Sequence, residues 1–215
     1  GILDRIRIRT GFEVEVADMT QEIYYKFFAL SHELLENAEN FGDKPVLLLD
    51  ITSGGLGLTG WQAGRLLFQQ NVASGSLRIL EHFSEKERED LLFPAAVRDY
   101  IHAALSPLWP SIEHYGIRHL VLSGLEARTV ASLLAPGQEG SYAFLTPEEF
   151  LGFVDSFGPM TPQKLMQRCK IPESRANLLL PTILLYDEVV RSTRVKGLFL
   201  MGTTFLQSYS AYQGA

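Results

Sequence analysis

Two strand-to-loop junctions and one helix carry the side chains able to do chemistry. The apolar run Val46-Leu-Leu-Leu ends in Asp50-Ile-Thr-Ser-Gly-Gly55. A turn of this composition exposes backbone N–H groups that can cradle phosphate oxygens, which makes Thr52, Ser53, Gly54 and Gly55 candidate phosphate-binding residues. Asp50 falls at the strand's mouth, where a carboxylate can hold Mg2+ directly or through water and neutralise a polyanionic substrate. The same residues also read as a plain turn whose aspartate caps neighbouring amides. A second junction, Val121-Leu-Ser123-Gly124, precedes a helix starting near Glu126. Ser123 and Gly124 can present that helix start to an anion, whereas Glu126 satisfies the helix dipole internally and competes with phosphate. Glu22, on the first long helical stretch, is either a general base for a water or a solvated surface carboxylate.

Other patterns are weaker. Gly55-Leu-Gly57-Leu-Thr-Gly60 matches G-x-G-x-x-G, with Glu81 about 20 residues on, as a dinucleotide-binding loop requires. Asp50 and Ser53 count against it, because they push the glycines beyond the strand and set a carboxylate against a pyrophosphate. The five histidines, 32, 82, 102, 114 and 119, show no ligand spacing and read as surface or capping residues. Ser84 lacks a nucleophile-elbow pattern.

The elements that must position these residues follow from periodicity and punctuation. Residues 4–8 and 13–16 alternate like short strands, and 20–40 has helical spacing with Ile23, Phe27, Leu30, Leu34 and Leu35 apolar. Val46–Ile51 and Ile117–Ser123 are apolar runs of the kind buried on both faces of a sheet. Residues 56–72 read either as two strands, 56–61 and 65–72, or as a helix over 61–73. Ser84-Glu-Lys-Glu87 is a capping box for a helix running to about 106, with Leu92, Ala96, Tyr100 and Ala103 on one face. Tyr142–Leu145 is a short strand. Thr146-Pro147 and Thr161-Pro162 each supply an N-cap followed by proline at the first helical position. A long apolar helix covers 173–190 despite Pro181, a strand covers 196–201, and a last helix covers 203–212.

The chain has 215 residues, 46% hydrophobic and 20% charged, which excludes disorder, collagen and coiled coil and suffices for an ample core. Its single cysteine, Cys169, forms no internal bridge and suits a reducing cytoplasm. A net charge of -6 argues against nucleic acid or an anionic membrane as the main partner. No apolar stretch approaches the roughly 20 residues that span a bilayer. The chain starts with Gly1 and not Met, which reads as one domain cut from a longer protein.

Taken in order, these motifs resemble the exopolyphosphatase/guanosine pentaphosphate phosphohydrolase (Ppx/GppA) family, specifically the second of its two actin-like, ribonuclease H-like domains. Gly11-Phe-Glu-Val-Glu-Val16 with Gln21-Glu22 is similar to the family's short strand and "SGxEEA" helix start. Asp50 to Gly55 falls on "DIGGGS", and Gly75 and Arg78 fall on "LGAVR". Val121 to Thr129 resembles "VGTGGTART", and Ile171 to Ala176 resembles "LPPERAD". The resemblance implies an α/β domain with a five-stranded mixed sheet flanked by helices. It divides into 1–45 (N-terminal strands and a helix), 46–145 (sheet core) and 146–215 (helical part). It makes 56–61 and 65–72 antiparallel strands and removes the glycine-rich match.

The implied chemistry is hydrolysis of terminal phosphoanhydride bonds of inorganic polyphosphate or guanosine penta/tetraphosphate with Mg2+. The cleft would be shared with a first domain of the same chain, and a homodimer is a further possibility of the family. Glu22 becomes the water activator and Asp50 the metal-linked carboxylate. Thr52 and Ser53 replace two loop glycines, and their Cβ atoms restrict φ there. Leu122, Leu125 and Glu126 replace Gly, Gly and Thr of the second loop, and Met201 to Ser208 replaces a charged "SDRGLREG". These departures imply impaired hydrolysis, with a catalytically inactive ligand- or protein-binding domain as the alternative and a dinucleotide-binding domain as a remote one.

Overall fold

A computed structural model describes residues 1–36, 41, 43–135, 137, 142–157, 160–202, 209–210 and 212–213. The frame is a six-stranded sheet: β1 (Val46–Ile51), β2 (Leu56–Gln62), β3 (Arg65–Val72), β4 (His119–Ser123), β5 (Tyr142–Leu145) and β6 (Gly197–Met201). Their order is β3-β2-β1-β4-β6-β5. β1, β2 and β3 form an antiparallel meander; β1, β4 and β6 run parallel. The sheet thus has one strand more than expected. β5 closes its far edge by pairing antiparallel with β6.

Ten helices are described: α1 (Ile2–Thr10), α2 (Met19–Glu36), α3 (Ser76–His82), α4 (Glu85–Arg88), α5 (Phe93–Leu105), α6 (Trp109–Glu113), α7 (Leu125–Leu134), α8 (Pro147–Asp155), α9 (Pro162–Cys169) and α10 (Glu173–Ser192). Thr146 and Thr161 cap α8 and α9, each accepting an N–H from three residues on. Pro181 lies inside the buried α10 without ending it. Among the described residues no helix is long and apolar enough to cross a membrane.

Successive side chains of a strand point to opposite faces, so the sheet sorts its residues into two cores. Leu47, Leu49, Ile51, Leu120, Leu122, Leu198 and Leu200 enter the larger one, to which α3, α5, α7, α8 and above all α10 contribute buried side chains. Val46, Leu48, Val121, Phe199 and Met201 face a smaller one with Leu30 of α2, Phe41 and Trp61.

Three sequence expectations need correction. Residues 4–8 are helical: Asp4 sits in the first turn, Arg7 and Arg9 sit in the last, and Gly11 closes the helix at φ 74°. This local capping outweighs an alternation that has no strand to pair with, and residues 13–16 are irregular. The helix opened by the Ser84–Glu87 box is also shorter than expected. It ends at Arg88, and α5 starts afresh with Pro94 in its first turn. The restart shifts the helical phase, so Phe93, Val97, Ile101 and Leu105 are buried while Leu92 and Ala96 are exposed. Finally, His119 is neither a surface nor a capping residue: it is half-buried beside Phe41 and Phe199. Residues 37–40 and most of the helix expected over 203–212 lie outside the described residues.

Candidate functional site

The alternation that builds the small core also places Asp50. Val46, Leu48 and Asp50 share the α2 face of β1, so the strand's polar end carries a carboxylate only 5% exposed. On α2 the stripe that buries Leu30 reaches Lys26 one turn earlier and Glu22 one turn before that. The ammonium of Lys26 donates to Asp50 Oδ2 at 3.0 Å and Oδ1 at 3.3 Å, and it pairs with Glu22 Oε1 at 3.0 Å. Parallel pairing sets Ser123 of β4 beside Asp50, and its hydroxyl donates to Oδ1 at 2.7 Å. Tyr186 of α10, fully buried, donates its O–H to the Ser123 carbonyl at 3.5 Å.

Burial alone would depress Lys26. The adjoining charge and hydrogen bonds of Asp50, joined by Glu22, reverse that and hold its pKa above the ordinary lysine value. Burial pushes the Asp50 carboxyl up, against the pull of Lys26 and Ser123. The Tyr186 phenol is driven far up by burial and by the charges of Glu126 and Asp50, and so stays protonated.

The first loop folds on itself. The Thr52 N–H donates to the Gly55 carbonyl at 2.9 Å, and the Gly55 N–H donates to Thr52 Oγ1 at 3.0 Å. The opening amides of α3 point at the loop's carbonyls, Ser76 N–H to Thr52 and Leu77 and Arg78 N–H to Ser53. That approach needs Gly75, where a Cβ would meet the Thr52 carbonyl oxygen at 2.3 Å and the Gly55 nitrogen at 2.4 Å. The amides of Ser53 and Gly54 have no partner among the described residues, and both residues are exposed. None of residues 52–55 takes a positive φ, so Thr52 and Ser53 sit in this loop without backbone strain.

The second loop does require its glycine. Gly124 has φ 106°, and its N–H donates to the Met201 carbonyl at 3.2 Å. With the Ser123 hydroxyl engaged by Asp50, neither residue has a free donor of the expected kind. Glu126 is half-buried in the first turn of α7, close enough to raise Tyr186. Arg128 lies two residues on, over Gly202 just beyond β6.

Glu22, Asp50, Ser123 and the two loops therefore converge at one end of the sheet. Gly57 and Gly60 lie inside β2, Gly60 under the Phe68 ring, and no helix opens at them to bind a dinucleotide. Lys26 is the residue that sequence reasoning missed, although its i,i+4 spacing from Glu22 was visible.

The expected metal does not fit these residues. Mg2+ takes six oxygens at about 2.0–2.1 Å, yet both Asp50 oxygens already accept from donors and an ammonium lies within 3.0 Å of Glu22 as well. Among the described residues no group of three or more His, Cys, Asp and Glu can hold a metal ion.

No protein-family model matches the sequence. No curated protein matches it either. Solved structures do match. An exopolyphosphatase from Cytophaga hutchinsonii superposes with a TM-score of 0.77 at 17% identity, over 100% of this chain and 70% of its own. A Ppx/GppA family member from Aquifex aeolicus gives 0.75 at 15% identity, over 99% and 68%. The chain has the Ppx/GppA fold. An exopolyphosphatase-like protein adds a third match, with a TM-score of 0.74 at 16% identity over 99% and 71%. Within the Ppx/GppA fold, the Asp50 and Ser123 loops occupy the mouths of adjacent parallel strands, where α/β sheets place their ligand sites.

Proposed function

We propose that this chain is a phosphate-chain-binding domain of the Ppx/GppA type in which hydrolysis of terminal phosphoanhydride bonds is impaired. Its ligand class is inorganic polyphosphate or guanosine penta/tetraphosphate. The observation that carries the reading is the convergence of the two loops on the Asp50–Ser123 hydrogen bond, 2.7 Å across the mouths of β1 and β4. The exposed amides of Ser53 and Gly54, with the exposed guanidiniums of Arg78 and Arg128 on the flanking helices, supply donors for phosphate oxygens.

Impairment follows from the charges behind those donors. Glu22 would orient and deprotonate the attacking water, but its Oε1 is already engaged by the Lys26 ammonium at 3.0 Å, which competes with that water for the same oxygen. Glu22, Lys26 and Asp50 together keep one net negative charge, which opposes the charge that builds up in phosphoryl transfer. Glu126 adds another beside the second loop.

The test is phosphate release from polyphosphate and from guanosine pentaphosphate, with and without Mg2+, alongside direct binding of both by calorimetry. Binding of either with release at background supports the reading. Release abolished by Glu22→Ala would make this an active hydrolase, and no binding of either ligand would overturn the ligand class.

A further inference from the structure

We propose that Lys26 is the resident cation of this site: its ammonium stands between Glu22 and Asp50, where a divalent ion would otherwise bridge carboxylate and phosphate, so the site takes no divalent metal. The inference rests on the Glu22–Asp50 end being the ligand site, and it concerns what neutralises that site, not what binds there.

The geometry supports it at each atom. Lys26 is 6% exposed and reaches Asp50 from a helix, its position 24 residues earlier in the chain. Its three donors have fixed acceptors, Asp50 Oδ1 and Oδ2 and Glu22 Oε1. A buried lysine lacking such partners sheds its proton. Here two carboxylates keep the charge in place, and the group cannot swing aside without leaving Asp50 buried and unpaired. A divalent ion would have to share the Asp50 oxygens with that ammonium and with the Ser123 hydroxyl. Two cations on one buried carboxylate repel, while the ordered lysine needs no uptake from solution. Removing the ammonium reverses the situation: two carboxylates would face one another across the vacated volume, a hard-oxygen pair suited to Mg2+ or Mn2+.

The experiment uses Mn2+ alone as probe, followed by electron paramagnetic resonance and by thermal melting of the protein. Wild type is expected to show no Mn2+ site that depends on Asp50. Lys26→Met is expected to gain one, about 10–100-fold tighter than any wild-type binding, the usual span of effects around a metal's ligands. Lys26→Met/Asp50→Asn should lose it again and serves as the charge-balanced control for folding. A wild-type Mn2+ site that Asp50→Asn removes would overturn the proposal, as would a folded Lys26→Met protein that binds no Mn2+. Should Lys26→Met fail to fold, the wild-type titration against Asp50→Asn decides alone. Because metal is read without phosphate, failure here is distinct from failure to bind polyphosphate.

Discussion

Two aspartates of this protein are almost equally buried, Asp50 at the mouth of β1 and Asp187, 1% exposed, on α10. They are neutralised in opposite ways. Asp187 has two guanidiniums beside it, Arg98 from α5 and Arg191 one turn along α10, and both Arg side chains stay 38–45% exposed. Arg191 also reaches Asp155 at 2.8 Å, so the four charges sum to zero. Asp50 has one ammonium, itself buried and shared with Glu22, and a charge is left over. The Asp187 cluster ties α5 to α10 with cations that water can stabilise if a partner is lost. The Asp50 cluster has no such reserve, and its surplus lies beside two loops open to a ligand.

The largest expected effect tests that difference in reserve. Lys26→Met leaves Asp50 uncompensated and should cost about 3–5 kcal/mol in urea unfolding at neutral pH. A loss no greater than that of Arg191→Ala would break the comparison. The pH dependence has a definite sign. Because the folded-state pKa of Lys26 lies above the ordinary 10.5, the native chain keeps a proton that the unfolded chain releases. The stability it contributes is complete below that value and is lost as pH rises through the folded pKa. The gap between wild type and Lys26→Met should therefore be flat from neutrality to about pH 10 and close above it.

Ser123→Ala comes next. Among the described residues it removes the one neutral donor to the Asp50 carboxylate, for which Asp187 has no counterpart there, and hydrogen bonds to charged groups contribute about 1.5–3 kcal/mol. Arg191→Ala should cost less, about 1 kcal/mol, because Arg98 remains. Its double mutant with Arg98→Ala should exceed the sum of the singles by about 0.5–3 kcal/mol, as partners of one carboxylate do. Asp155→Asn, at an exposed pair, should fall within about 0.5 kcal/mol of wild type. The smallest effect is a gain: Glu22→Gln removes the surplus charge and should tighten polyphosphate binding a few-fold in low salt, a change that about 0.15 M salt reduces.

The sheet was largely legible because β1, β4 and β6 are buried on both faces and their apolar runs have no other reading. Helix starts were legible wherever a threonine preceded a proline. Asp50 and Ser123 were picked out by residue type and setting and Glu22 by the family resemblance, and the fold brings them together. What escaped depended on distance or phase. Lys26 looks like a solvated lysine until its partner 24 residues away is known. The buried face of α5 was misjudged because a few unwound residues before Phe93 reset the helical phase. Residues 4–8 misled because period-two alternation says nothing about whether a strand is available to pair with.

The missing Cβ of Gly75 joins these regions mechanically. With the loop's carbonyls against the first amides of α3 and no side chain between them, the turn at 52–55 and α3 are packed as one piece. α3 in turn rests on α10, which carries Tyr186 and Asp187 on successive residues. A side chain at position 75 would therefore wedge the turn off α3, and so part the loop from the helix that rests against the bearer of the second buried aspartate.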